Sequence, residues 1–219
     1  MSDQARASSV SVRNAPGRED MKAPDYFVAF SGQSKSYCVG LADLVEPTQI
    51  TSSTDPAKMS RYYEIFMNSM SQTVSRFGGS VVKSVGDGIW YYFPESSKPN
   101  RKFGFLACLE CNLAMCEARK AICQRLEEEG LPCLDLRVSS DYGQVVMFNV
   151  NNSSLPDMIG PPLNMCAKIN PLAPPNGVVV GGDLHEMVKN FDEYSFKALK
   201  GFSIGLKLSY AVYSVSRKQ

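Results

Sequence analysis

The stretch VVKSVGDGIWYYF, residues Val81 to Phe93, constrains the fold more than any other part of the chain. Its first arm alternates apolar and polar residues, as a strand with one buried face does. Gly86-Asp87-Gly88 then breaks the pattern, and Asp-Gly is a favoured pair for a tight hairpin turn. The return arm, Ile89 to Phe93, is apolar throughout. Lys83 on one arm and Asp87 at the tip are the two charges that such a hairpin does not need for its own stability.

The rest of the chain supplies partners for this hairpin. At 219 residues with an ordinary apolar fraction, one domain of mixed α/β type is the simplest expectation. Met1 to about Pro24 lacks any apolar period and reads as a disordered arm over 1–24, leaving a folded unit over 25–219. Tyr37 to Val45 is the first core strand. Asp55-Pro56 starts a helix and Gly78-Gly79 stops it. Between them Met59, Tyr62, Phe66, Met70, Val74 and Phe77 recur at steps of three and four, which puts them on one face. Lys102 to Glu129 reads as one long helix ended by Gly130, and LDLRVSSDYGQVVMFNV as a second hairpin turning near Tyr142-Gly143. A short helix, a buried strand GVVVGG and a closing strand pair follow. Hairpins interleaved with long helices predict an α+β fold, a mostly antiparallel sheet with helices packed on one face.

Charge and cysteine content exclude several classes. A formal charge of +1 provides no basic field for nucleic acid, which needs clustered Lys and Arg. No apolar run is long enough to span a bilayer, and no signal peptide is visible, so a cytoplasmic protein without membrane partners is expected. The seven cysteines form an odd set, four of them in one helical stretch. Cys108-Leu-Glu-Cys111 has zinc-like spacing but lacks a second pair, and the only histidine is His185. The expectation is seven reduced cysteines, mostly small core residues.

Two aspartates suggest chemistry. Asp43 interrupts the apolar run GLADLV as the first strand ends, and aspartate is depleted in strands. Asp87 lies in the VGDG turn, where turn geometry by itself also explains it. Neighbouring strands lie under ~5 Å apart, so the two carboxylates can face one pocket. Unpaired they would raise each other's pKa, and a divalent cation such as Mg²⁺ or Mn²⁺ removes that conflict.

Four blocks, GLADLVEPT, VVKSVGDGIWYYF, LRVSSDYGQVV and DMIGPPLNMCAKI, resemble the class III nucleotidyl cyclase catalytic domain in order and separation, over roughly Tyr37 to Ser214. The resemblance implies a ferredoxin-like cyclase homology domain. It makes Asp43 and Asp87 the metal ligands, two ions per site, with the Leu44 carbonyl as an extra ligand. It makes Lys83 and Asp157 the readers of the purine edge and Asn164 the residue that orients the ribose. Lys168 stands where the family has a transition-state arginine, and Lys200 is the candidate polyphosphate contact. It also implies a head-to-tail homodimer, the metal aspartates coming from one chain and the other groups from its partner.

Adenine offers an acceptor at N1 and a donor at its exocyclic amine, which suits Lys83 and Asp157, whereas guanine inverts that pattern. The resemblance thus implies an adenylate cyclase that converts ATP to 3′,5′-cyclic AMP and pyrophosphate. A catalytically silent nucleotide-binding module is the alternative, and a guanylate cyclase a third. Two departures bear on that choice. Lys168 is a point charge where a planar fork is usual. Glu46-Pro47 replaces the glycine and aromatic residue that usually follow the first aspartate. Asp141-Tyr142-Gly143 reads as turn chemistry, His185 as structural, and Trp90-Tyr91-Tyr92 as core and interface packing.

Overall fold

A computed structural model describes the backbone of residues 28–46, 55–150, 156–199, 202–204 and 208–218, with side chains at 33–46, 55–149, 156–199 and 210–218. The expected arm at 1–24, Pro47 and Lys200 lie outside the described residues. The strands are β1 (Val28–Leu44), β2 (Ser80–Val85), β3 (Gly88–Phe93), β4 (Leu136–Val150), β5 (Asp157–Ile159), β6 (Gly177–Gly181), β7 (Tyr194–Ala198), β8 (Phe202–Ile204), β9 (Leu208–Tyr210) and β10 (Val212–Arg217). The helices are α1 (Pro56–Arg76), α2 (Lys102–Glu117), α3 (Arg119–Glu128), α4 (Pro161–Ile169) and α5 (Gly182–Val188). The main sheet runs β2-β3-β1-β4-β6-β10-β7, with β5 pairing the far half of β4, and β8-β9 form a separate pair. Among the described residues only the β4-β6 pairing is parallel, so the fold is α+β, as expected.

Local chemistry accounts for the elements around the hairpin. The Asp55 carboxylate accepts hydrogen bonds from the N–H groups of Ala57 at 2.9 Å and Lys58 at 3.3 Å, satisfying two donors that a helix start leaves open. Gly78, at φ +74°, ends the helix in a conformation costly for other residues. Between these caps Tyr62, Ile65, Phe66, Met70 and Val74 are buried.

The sheet has two unlike faces. Cys38, Ala42, Leu44, Ile89, Tyr91, Phe93, Val178 and Val180 point into one large core beneath α1, α2, α3 and α5. The alternate residues Val39, Leu41, Trp90 and Val145 point the other way, where Cys166 and Leu163 of α4 meet them together with Val82 and Met158. Helices therefore cover both faces, which corrects the expected one-sided layer: four pack on one side and α4 on the other.

Three further expectations are corrected. The helix expected over 102–129 is two helices with a turn at Ala118, although the Ala118 N–H still bonds the Ala114 carbonyl at 2.8 Å; nothing in the local sequence marks the break. The second hairpin does not turn near Tyr142-Gly143. β4 runs straight through to Val150, paired along β1. Asp141 is fully buried in mid-strand. Its carboxylate accepts from the Tyr210 hydroxyl at 2.7 Å, the Tyr142 N–H at 2.9 Å and the Leu184 N–H at the start of α5 at 3.2 Å. Gly181 leaves room for it, since a Cβ there would lie 2.5 Å from the carboxylate. Finally, Cys123 and Cys133 form a disulfide, while Cys38, Cys108, Cys111 and Cys166 are buried thiols and Cys116 is half-buried. Cysteine spacing alone could not reveal a pair joined across the end of α3.

Burial, opposed by its hydrogen bonds, pushes the pKa of Asp141 up to about 6. A folded-state pKa above the unfolded value stabilises the protein below the unfolded pKa, near 4, and that contribution is lost as pH rises through about 6. Asp141→Asn keeps the carbonyl acceptor and should remove this slope, worth on the order of 2–3 kcal/mol between pH 4 and 7. Urea denaturation of both proteins across that range checks it.

Candidate active site

The strand register brings the two predicted aspartates together. Asp43 follows Val39 and Leu41 at the two-residue period and so shares their face, the one occupied by α4. It pairs across to Gly88 of β3 on one side and to Arg137 of β4 on the other. The two glycines around Asp87 do different work. Gly86, at φ +59°, makes the turn. Gly88 makes room, because a Cβ there would lie 2.8 Å from Oδ1 of Asp43. The Leu44 N–H donates to the Asp87 carbonyl at 3.4 Å, tying the strand end to the turn. The Leu44 side chain is buried in the main core, so only its carbonyl can serve a ligand.

Electrostatics make this corner short of positive charge. Burial, and then the Asp87 carboxylate, push the pKa of Asp43 up to about 6, against the opposing charge of Arg137. Burial and the charges of Asp87 and Asp43 also raise the phenol of Tyr63, on the second turn of α1. Two adjoining carboxylates fit Mg²⁺ or Mn²⁺, which take oxygen ligands from one or two acids and complete their shell with water and substrate phosphates. Among the described residues no cluster of three or more His, Cys, Asp or Glu could cage a metal. A closed structural site of the zinc type is thus not formed there, and buried Cys108 and Cys111 are core residues.

The other predicted group assembles beside β2. Lys83 Nζ lies 2.6 Å from Oδ2 of Asp157, which opens β5, and Oδ1 of Asp157 accepts the Met158 N–H at 2.7 Å. Lys83 of the pair lines a groove of about 420 Å³ whose apolar wall includes Trp90, Met158 and Leu163. Asn164 lines the same groove from α4. Lys168, four residues on, is exposed on the same side of that helix, without an ion pair among the described residues. Val85 and Ile159 leave apolar surface exposed around the groove, at 52% and 48%. Lys200 lies outside the described residues. Glu46 holds a left-handed backbone at φ +48°, at the position where glycine was the expected residue.

His185 is structural: its ring stacks on Tyr213 at 3.6 Å and meets Phe196 edge-on at 5.2 Å. Sequence reasoning missed Arg137 and Tyr63. Arg137 could have been found only from the β1-β4 register, and Tyr63 only from the angle at which α1 crosses the sheet.

Comparison with known proteins follows this geometry. The model of the adenylate and guanylate cyclase catalytic domain matches residues 31–216. A photoactivated adenylate cyclase subunit beta-like protein of Euglena gracilis is 29% identical over 118 residues, 51% of this chain and 13% of that protein. An uncharacterised Mycobacterium tuberculosis protein is 24% identical over 168 residues, 75% of this chain and 38% of its own length. The chain thus spans well under half the length of these curated relatives. Among solved structures, the adenylyl cyclase CyaB from P. aeruginosa superposes with a TM-score of 0.76 at 18% identity, covering 85% of this chain and 96% of that one. The guanylyl cyclase Cya2 gives a TM-score of 0.75, also at 18% identity, covering 84% and 93%. With the family model spanning nearly all of the described sheet and helices, this chain belongs to the adenylate and guanylate cyclase catalytic domain family.

Proposed function

We propose that the protein is a metal-dependent adenylate cyclase that acts as a homodimer. The observation that carries this reading is the Lys83–Asp157 pair at the mouth of an apolar groove. An ammonium has three N–H donors and a carboxylate about four acceptor positions, so each can hold the other and still bond a base. Adenine then receives a donor at N1 from Lys83 and an acceptor for its amine at Asp157. Guanine would set its carbonyl against the carboxylate and its N1–H against the ammonium, and buried mispaired groups discriminate strongly.

In this reading Asp43, Asp87 and the Leu44 carbonyl hold the divalent cations. When bound, these ions supply Lewis-acid charge neutralisation at the phosphates and a lower pKa for the ribose hydroxyl. Asn164 orients the ribose so that its 3′-oxygen lies in line with the α-phosphorus. Attack forms the new P–O bond, breaks the bond to the β-phosphate oxygen, and releases pyrophosphate as the 3′-proton leaves. Lys168 donates to the charge that builds on the α-phosphate, and Lys200 to the polyphosphate. The metal corner and the base groove share the sheet face that α4 covers only in part, where Val85 and Ile159 are exposed. A second copy laid on that face would complete two equivalent sites. The point charge at Lys168 and the left-handed Glu46 favour a second reading, a silent module that binds nucleotide without turning it over.

Four experiments test these readings. Purified protein with Mn²⁺ should make cyclic AMP from ATP in preference to cyclic GMP from GTP, read by mass spectrometry. Nucleotide binding without product under either metal would sink the cyclase reading and leave the silent module. Asp157→Ala should lower kcat/KM for ATP by about 100-fold and erase the preference, because Lys83 is left unpaired. Asp87→Asn chains, inactive alone, and Asp157→Ala chains, about 100-fold weakened alone, should regain activity on mixing if the sites are shared. For the metal corner, Asp43 must shed its proton to bind an ion, so Mn²⁺ should raise the melting temperature more at pH 7.5 than at pH 5. Asp43→Asn should abolish that rise.

A further inference from the structure

The connection from α3 to β4 holds the one disulfide among the described residues. Cys123, within α3, bonds Cys133 ten residues on, their Cα atoms 4.6 Å apart. Cys133 is exposed, whereas Cys123 is 7% exposed. The ring this bond closes contains Glu129, which takes a two-pronged ion pair from Arg61 of α1, with Nε at 2.5 Å and Nη2 at 2.6 Å. Just past the ring, Arg119 Nε donates to the Leu134 carbonyl and the Asp135 carboxylate, both at 2.8 Å. Asn176 donates to the same carboxylate at 2.7 Å. The Asp135 carbonyl in turn accepts the Val45 N–H at 2.9 Å. Val45 directly follows Asp43-Leu44, so this connection is the support on which the outgoing end of β1 rests.

We propose that Cys123–Cys133 is a thiol–disulfide exchange site that takes a dithiol reductant, and that its redox state sets how firmly the Asp43 end of β1 is held. The reductant's thiolate attacks the exposed Cys133 Sγ and forms a mixed disulfide, and Cys123 leaves as a thiolate that takes up a proton. The second thiolate of the reductant attacks its own mixed-disulfide sulfur, freeing Cys133, which is protonated in turn. Two electrons and two protons reach the protein, and the dithiol becomes a disulfide. The Leu134 carbonyl lies 3.7 Å from Cys123 Sγ and 3.6 Å from Cys133 Sγ, within reach of both new thiol hydrogens. Arg119 holds that same carbonyl, so reduction sets up competition at the support. Opening the ring also frees the segment carrying Glu129. Exposed disulfides are the ones that exchange readily, whereas buried thiols such as Cys111, raised by burial to a pKa above the usual thiol range, stay inert.

The effect on the metal corner rests on the proposed role of Asp43 and Asp87; the exchange itself does not. Full-length protein purified in air, then denatured and alkylated, should carry five alkyl groups by intact mass, and seven after dithiothreitol. Reduction should lower the melting temperature by several degrees. Cys133→Ser should show the lower value without reductant and no further response to it, and Cys116→Ser should behave as the wild type. The Mn²⁺ concentration for half-maximal thermal stabilisation should rise several-fold on reduction. Seven alkyl groups even after treatment with oxidised glutathione, or an unchanged melting temperature on reduction, would overturn the proposal. Equal Mn²⁺ responses in both redox states would refute the coupling to β1. If Mn²⁺ has no effect in either state while the thiol count and melting temperature respond, the exchange site stands and the metal reading fails.

Discussion

The structure depends on a conflict between charge and register. Asp43 is held opposite Gly88 by the β1-β3 ladder, and the next residue back along the turn is Asp87. Two acids in a half-buried corner repel, and burial first, then the Asp87 charge, hold the pKa of Asp43 up. The surrounding structure is built to withstand it. β1 is paired with β4 along most of its length and with β3 from Cys38 to Asp43, Ala42 and Leu44 anchor it in the main core, and the charge of Arg137 opposes the rise at Asp43. A strand held this firmly can keep an acid where isolated sequence preference would not put one. In the proposed function a divalent cation completes this corner.

The two faces of the sheet are built differently. One face is closed by four helices and supplies the stability. Within it the Tyr91 hydroxyl donates to Asn112 Oδ1 at 2.7 Å, and Asn112 donates to Ser140 at 2.8 Å. Gly40 allows that bridge, because a Cβ there would lie 2.3 Å from the Tyr91 ring. On the other face Asn170, just past α4, donates to Ser139 Oγ at 3.2 Å and Ser139 donates to the Cys166 carbonyl at 3.0 Å, fastening α4 to β4. A fully satisfied polar network fixes one arrangement of strands and helices rather than several. That fixed frame sets Asn164 and Lys168 relative to Lys83 and Asp157.

How much of this was legible follows from the range of the forces involved. The cap at Asp55, the stop at Gly78 and the turn at Gly86 are decided within a few residues, and local sequence shows them. Gly88 looked like part of the same turn, but its reason is steric and lies 45 positions away, at Asp43. Asp141-Tyr142-Gly143 has turn composition and yet sits in mid-strand, because the start of α5 and Tyr210 give that carboxylate a buried set of donors. The placement of α4 on the second face, Arg137 beside Asp43, and the pairing of Cys123 with Cys133 share this non-local origin. Candidate site residues could be named before the fold around them because the resemblance points to them directly. What it could not supply is the charge balance that surrounds them.

In the proposed function, the Lys83–Asp157 pair lets the site wait without substrate. A lone lysine lining an apolar groove and a lone, largely covered aspartate beside it would each bear the cost of desolvation without a partner. Facing each other at 2.6 Å they relieve it, with Asp157 held further by the Met158 N–H. Lys83 remains 39% exposed against 19% for Asp157, so the acid is the fixed element and the ammonium the one free to swing. A base that offers an acceptor to the lysine and a donor to the acid can enter between them without stranding either charge. A base of inverted pattern must break the pair and return nothing for it. In the proposed function, selectivity for the purine therefore comes as much from the stability of the empty pair as from the contacts made in the complex.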